Sequence, residues 1–180
     1  KMVRDENGKP RLILGVTQDV TERKQAEESL QMSEERYRGL FNSMIDGFAL
    51  HEIICDENGK PVDYRFLEVN PAYERLTGIQ SANLIGRTVL EVMPKTESYW
   101  IEIYGNVALT GRSTFFENYS GELGRYFEVS AYCPRPGQFA VIMVDITERK
   151  KAEQDTRQHV TELEVLYESG LALSQLLNPK

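Results

Sequence analysis

Apolar and polar positions along this chain change period twice. Residues 22–41 are dense in charge and free of proline, with apolar or small side chains at Ala26, Leu30, Ser33, Tyr37, Leu40 and Met44. That four-three spacing predicts a heptad stripe on a long helix. From Phe48 the pattern becomes strand-like. It predicts strands over 48–55 and 62–69, joined by a turn at Asp56–Pro61 that contains Asn58-Gly59. Asn70 then offers a side-chain cap and Pro71 a fixed φ, so a short helix is expected over 71–77, ending at Gly78. Ser81 and Gly86 bracket a second short helix. A third is expected over 97–110, with Trp100, Tyr104, Val107 and Ala108 on one face and Gly111 as its stop. Three strands follow, over 113–119, 126–133 and 138–145. The last is almost unbroken in apolar residues and belongs at the centre of a sheet. From Thr147 a second long helix begins, its stripe running through Ala152, Thr156, His159, Leu163, Leu166, Gly170, Leu173 and Leu177.

Two internal repeats bear on the domain plan. Residues 17–27 resemble residues 144–153, with Asp19 aligned on Asp145 and Thr-Glu-Arg-Lys in both copies. A shorter string, Asp-Glu-Asn-Gly-Lys-Pro, occurs at 5–10 and at 56–61 and marks a turn each time. With 180 residues, there is room for one domain of ordinary size plus accessory segments. The longest uncharged apolar run, Phe139 to Val144, is far short of the roughly 20 residues a membrane-spanning helix needs. Twenty-one basic against 28 acidic residues, net charge −7, argues against a nucleic-acid surface. Cys55 and Cys133 are too few for a disulfide framework or a zinc site. With no secretory signal at the start, the expected setting is cytoplasmic.

The sequence Phe66-Leu-Glu-Val-Asn-Pro-Ala-Tyr-Glu-Arg-Leu-Thr-Gly78, the Asn83-Leu-Ile-Gly86 stretch, the closing Asp145-Ile-Thr-Glu-Arg149 and the strand-helix order together resemble a PAS domain with flanking signalling helices. The resemblance covers roughly residues 34–149. It implies an α+β fold, a five-stranded antiparallel sheet of order 2-1-5-4-3 with short helices on one face enclosing a small-molecule pocket. Residues 1–22 then resemble the C-terminal end of a preceding PAS domain, 23–41 a linker helix or coiled coil, 42–147 the PAS domain itself, and 148–180 an exit helix or coiled coil leading towards a GAF domain.

Such domains hold different cofactors, and the residues present bear on each class. The region 77–87, where flavin photosensors of the family carry a reactive cysteine, has none. The helix over 97–110 has no histidine to ligate haem iron. Flavin and haem are therefore disfavoured, no metal site is expected, and no cofactor is the preferred expectation. His51-Glu52-Ile-Ile-Cys55 lacks the second histidine of a zinc-protease motif and lies on a strand. His51 is expected to be partly buried and hydrogen-bonded, or to line a pocket. The candidate pocket residues are His51, Leu67, Trp100, Tyr104, Phe127 and Val129, with core packing the competing role for Trp100 and Tyr104.

The junction Asp145-Ile-Thr-Glu-Arg149 is the candidate for signal transmission. Asp145 or Thr147 can cap the exit helix, and Arg149, one turn on, is expected to pair with Asp145, a contact worth about 1 kcal/mol or less if exposed. The reading is a non-catalytic sensory or relay domain of a signal-transduction protein. It is expected to dimerise through its flanking helices and pass conformational signals to an output domain, a histidine kinase or nucleotide cyclase. The alternative is a sensor whose pocket ligand biases the exit helix. No nucleic-acid partner and no membrane insertion of this segment are expected.

Overall fold

The computed structural model describes residues 2–4, 7–12 and 21–177. It divides into two units, residues 1–40 and 41–180. In the first, β1 (Met2–Arg4) and β2 (Pro10–Leu12) pair antiparallel, Met2 opposite Leu12, across a turn in which Gly8 adopts a left-handed φ of 77°. The long helix α1 spans Thr21–Ser43, close to the predicted 22–41. The repeated motif at Thr17–Val20, on which the preceding-domain reading depends, lies outside the described residues.

The second unit contains the strands β3 (Gly47–Cys55), β4 (Pro61–Val69), β5 (Thr114–Ser120), β6 (Arg125–Tyr132) and β7 (Gln138–Asp145). Their lateral order is β4-β3-β7-β6-β5, all antiparallel. Counted within the unit this is 2-1-5-4-3, as expected, with the apolar strand β7 at the centre. Each observed strand lies within one residue of its predicted bounds.

Between β4 and β5 the chain forms α2 (Pro71–Thr77), α3 (Ser81–Leu84), α4 (Val89–Val92) and α5 (Ser98–Thr110). The sequence pattern predicts three helices here and the structure has four. The extra one, α4, is a single turn closed by a reciprocal capping box, in which the Thr88 side chain accepts from Glu91 N and the Glu91 carboxylate accepts from Thr88 N. Thr88-x-x-Glu91 was its legible signal. An element of one turn is too short to show a period.

Helices this short have no stability of their own and must be pinned. Asn70, wholly buried, pins α2. Its Oδ1 accepts from Tyr73 N at 2.8 Å and from Phe48 N at 2.9 Å, while its Nδ2 donates to the Asp46 carbonyl at 2.9 Å. One carboxamide thus joins the entry to β3, the end of β4 and the start of α2. Gly78 ends α2 in the left-handed region at φ 74°, its N–H returning to the Glu74 carbonyl. The Glu74 carboxylate then accepts from Ser81 N, setting the start of α3. Residues 85–88 run beside β4, with Phe66 N donating to Arg87 O and Gly86 N to Phe66 O, and so satisfy the outer edge of that strand.

The core lies between the sheet and these helices. Phe66, Phe127, Phe139, Val129 and Val141 from the strands meet Leu84, Val89, Trp100, Tyr104 and Val107 from the helices. α5 approaches β4 so closely that a Cβ on Gly105 would stand 2.2 Å from Pro61 Cγ, which explains a glycine inside a helix.

Replacing Asn70 by alanine removes a helix cap and leaves the Phe48 N–H and Asp46 carbonyl without their side-chain partner. It should cost about 2–3 kcal/mol in urea unfolding. Asn70→Asp retains the acceptor and should cost less. Equal stability of Asn70→Ala and wild type would show that α2 is held by packing alone.

Candidate functional site

Two places in the second unit gather polar chemistry: a cavity between sheet and helices, and the junction where β7 becomes the exit helix α6 (Thr147–Leu177).

The cavity arises from strand pleat and helix period. Alternation on β3 turns Ala49 and His51 inward, on β4 Tyr64 and Phe66, on β6 Phe127 and Val129, and on β7 Phe139, Val141 and Met143. Opposite them α5 presents Trp100 and Tyr104, one turn apart, and α2 presents Tyr73. These layers leave about 40 Å3 open to the centres of water-sized molecules, with Met93, Thr96, Ser120 and Leu123 completing the wall.

Of the predicted pocket residues, His51, Trp100, Tyr104 and Phe127 line this cavity. Val129 is wholly buried in the core but does not reach it. Leu67 is placed elsewhere. Leu67 is the extra residue of β4 where its register with β3 shifts, Leu50 standing opposite Glu68 and His51 opposite Phe66, and it is half-buried. Tyr64, Tyr73, Met93, Thr96, Ser120 and Leu123 were not foreseen as pocket residues. Tyr73 was legible only as part of a helix, and the last four come from turns and strand ends, where no period directs a side chain.

His51 departs most from expectation. It is 1% exposed, and neither ring nitrogen has a hydrogen-bond partner. Its ring stacks on Phe139 at 4.6 Å with an interplanar angle of 14°, and lies 4.9 Å from both Tyr64 and Phe66. Phe139 in turn stacks on Tyr104 at 4.7 Å, so three rings form one column. Burial pushes the His51 pKa down to about 3. The Phe139 backbone polarises the ring in the opposite sense but does not reach hydrogen-bonding geometry. The imidazole is therefore neutral at pH 7. Burial likewise raises the phenols of Tyr64, Tyr73 and Tyr104, which stay protonated.

At the junction, the predicted pairing of Asp145 with Arg149 is not the one formed. Asp145 Oδ2 pairs with Arg125 at 3.1 Å and Oδ1 accepts from Thr147 N at 2.9 Å. Burial raises the Asp145 carboxyl, but the bonds from Thr147 and Arg125 outweigh it and hold the group below its ordinary range. Thr147 Oγ1 accepts from Tyr126 N at 3.0 Å, tying the helix start to β6. The reason for the difference is geometric: Asp145 is still a strand residue, and a side chain two positions before the first helical residue is not an i,i+4 neighbour on the helix surface.

Arg149 reaches instead across the sheet, to Glu117 on β5 at 2.6 Å and Glu128 on β6 at 3.2 Å. Lys150 also binds Glu117. Glu117 and Glu128 are direct cross-strand partners. Like charges so placed repel, and the two cations of α6 offset that repulsion. The hydrogen bond from Lys150 is the main cause that holds the Glu117 carboxyl below its usual range. The glutamates are visible in the sequence as polar alternates on strands. Their pairing depends on a register that no local pattern states.

Among the described residues no group of three His, Cys, Asp or Glu side chains stands together to hold a metal, and no helix is long and apolar enough to cross a membrane. Both cysteines are free thiols, and Cys133 Sγ donates to the Arg135 carbonyl at 3.0 Å.

Comparison with known proteins agrees with this architecture. Over 92% of its length the chain is 26% identical to sporulation kinase E of Bacillus subtilis, of which it spans 22%. Over 48% of its length it is 27% identical to hybrid signal transduction histidine kinase E of Dictyostelium discoideum, of which it spans 4%. The chain thus corresponds to about a fifth or less of these relatives. Among solved structures, the PAS domain of an HTR-like protein from Haloarcula marismortui superimposes with a TM-score of 0.50 at 20% identity, covering 68% of this chain and 99% of that one. Residues 35–111 match the family described as PAS domain. With the sheet order 2-1-5-4-3 and helices packed on one face, the folded unit of this chain has the PAS fold.

Proposed function

We propose that this PAS domain is a non-catalytic relay within a longer cytoplasmic signalling protein, taking up a conformational change in its sheet and passing it to α6. The observation that carries the reading is the fastening of the first turn of α6 to β5 and β6. Arg149 bridges two facing glutamates, Lys150 adds a second cation, and Asp145 and Thr147 bond back to Arg125 and Tyr126. These contacts belong to three strands, so a shift of β5 or β6 relative to β7 alters the platform on which α6 starts. Because the pairs are partly exposed, they are individually weak and can exchange between two helix positions. The likeness to sporulation kinase E and to hybrid signal transduction histidine kinase E supports a histidine kinase as the output. The preceding-PAS and following-GAF assignments of 1–22 and 148–180 belong to the same reading.

Dimerisation through the flanking helices is part of it. Leu30, Tyr37 and Leu40 on α1, and Leu163 and Leu166 on α6, are each about half exposed or more, so these positions of the predicted stripes face solvent in the single chain. A parallel coiled coil would cover them. Of the remaining stripe positions on α6, the side chains of Gly170, Leu173 and Leu177 lie outside the described residues.

A second reading, a ligand sensor, is favoured by the cavity and the unpartnered imidazole of His51.

Two experiments test the relay. Arg149→Ala should leave the melting temperature nearly unchanged while hydrogen exchange of the amides at 150–153 rises several-fold. Adding Glu128→Gln should then produce little further change, because it and Arg149 act through one contact. Unchanged exchange in Arg149→Ala would show that the bridge holds nothing. For the dimer, sedimentation at tens of micromolar should give a dimer for the wild type and a monomer for Leu30→Glu with Leu163→Glu. A wild-type monomer would remove the coiled coil from the mechanism.

A further inference from the structure

A buried imidazole normally satisfies at least one nitrogen, because an unmade hydrogen bond costs about 1–3 kcal/mol. His51 satisfies neither, and it lines a cavity. Tyr64, Tyr73 and Tyr104 line the same cavity from β4, α2 and α5 and bring a hydroxyl each. Four polar side chains from four elements therefore surround one small space, the imidazole with both nitrogens unpartnered, while the rest of the wall is mainly aromatic and aliphatic. Among the described residues no charged side chain lines it.

We propose that this cavity is a binding site for a small uncharged molecule of roughly four to six non-hydrogen atoms that carries both a hydrogen-bond donor and an acceptor, such as a simple amide or diol, with His51 as its principal contact. The size follows from the volume: at ~10–15 Å3 of centre space per water, the cavity holds about three waters. The polarity follows from the chemistry of the walls, since a neutral imidazole offers one donor and one acceptor and each phenol can do either. The absence of charge follows from the lining. An anion would lose its hydration without meeting a cation, at a cost hydrogen bonds from phenols do not offset. The titratable groups facing His51 are the three phenols, all held in their neutral form, so nothing in the cavity favours protonating it at neutral pH.

The inference gives a chemical class to the sensor reading, but binding stands or falls separately from signalling. The probes are acetamide and propane-1,2-diol, with acetate as the charged counterpart of acetamide in the same shape. In 15N-labelled protein the ring nitrogens of His51 report directly, and exposed His159, the other histidine of the chain, serves as internal control. At pH 7 the neutral probes should give saturable shifts at His51 and none at His159, with dissociation constants in the roughly millimolar range expected of ligands this small. Acetate should give none. His51→Phe keeps an aromatic ring in the column and removes both nitrogens. Read at the backbone amides of Tyr64 and Tyr104, it should bind the neutral probes at least ~10-fold more weakly, the loss of about one hydrogen bond.

The fold of that variant has its own check. In the wild type, His51 binds a proton in the unfolded chain below about pH 6.5 but not in the folded one until about pH 3. Stability contributed by the neutral ring is therefore lost as pH falls across that window. The melting temperature of a folded His51→Phe should fall less steeply over the same range. The site is overturned if neither neutral probe shifts His51 saturably, if His51→Phe binds them as well as wild type, or if acetate binds as tightly as acetamide. Saturable binding with unchanged hydrogen exchange at 150–153 would keep the site and remove the sensor reading.

Discussion

The fold depends on how a chain with three helices of seven residues or fewer keeps them on a sheet, and the answer centres on Asn70. Helices of one or two turns gain too few internal bonds to offset the entropy of ordering them. Their backbone groups must be completed from outside, and the supply is sequential. Asn70 completes α2, the carboxylate of Glu74 in α2 receives the first N–H of α3, the exit of α3 pairs along β4, and Thr88 and Glu91 close α4. Each link positions the next. The chain reaches α5 with its direction set, which allows Trp100 and Tyr104 to meet the sheet at the cavity.

The same sheet is asymmetric in what its two faces do. Its inner face is a packed array of aromatic rings, of low compressibility. Its outer face at β5 and β6 carries a repulsive pair of glutamates that Arg149 and Lys150 of α6 neutralise. A rigid layer thus ends at a polar, exchangeable contact. That contrast makes the junction the compliant element, because the free energy needed to rearrange exposed ion pairs is far smaller than that needed to repack a core.

How much of this was readable from the sequence depends on whether the signal was local. Period and punctuation are local, so β3 to β7, α2 and α5 stand almost where alternation, Asn70-Pro71 and the stopping glycines put them. Trp100 and Tyr104 were legible as one helix face for the same reason. Pairing is not local. The sequence suggested Asp145 with Arg149 because they are four apart, but Asp145 is a strand residue and its partners, Arg125 and Thr147, come from β6 and the helix start. Leu67 failed on register: it is the extra residue where β4 bulges against β3, and no local pattern announces a bulge. His51 was read from the frequency with which buried histidines are hydrogen-bonded. No composition or spacing could reveal that three aromatic rings would enclose it and leave its nitrogens unmet.

That exception matters because the rest of the unit is consistent at every level, with caps where helices begin, glycine where φ is positive and an apolar strand at the sheet centre. In a chain so regular, a local rule broken without structural compensation points to a function. Phenylalanine at position 51 would preserve the stacked column and remove the cost of two unsatisfied nitrogens, and would on packing grounds be the better residue. The histidine therefore contributes something that stability alone does not select. A cavity beside it, walled by three further hydroxyl-bearing rings, is where that contribution can be made.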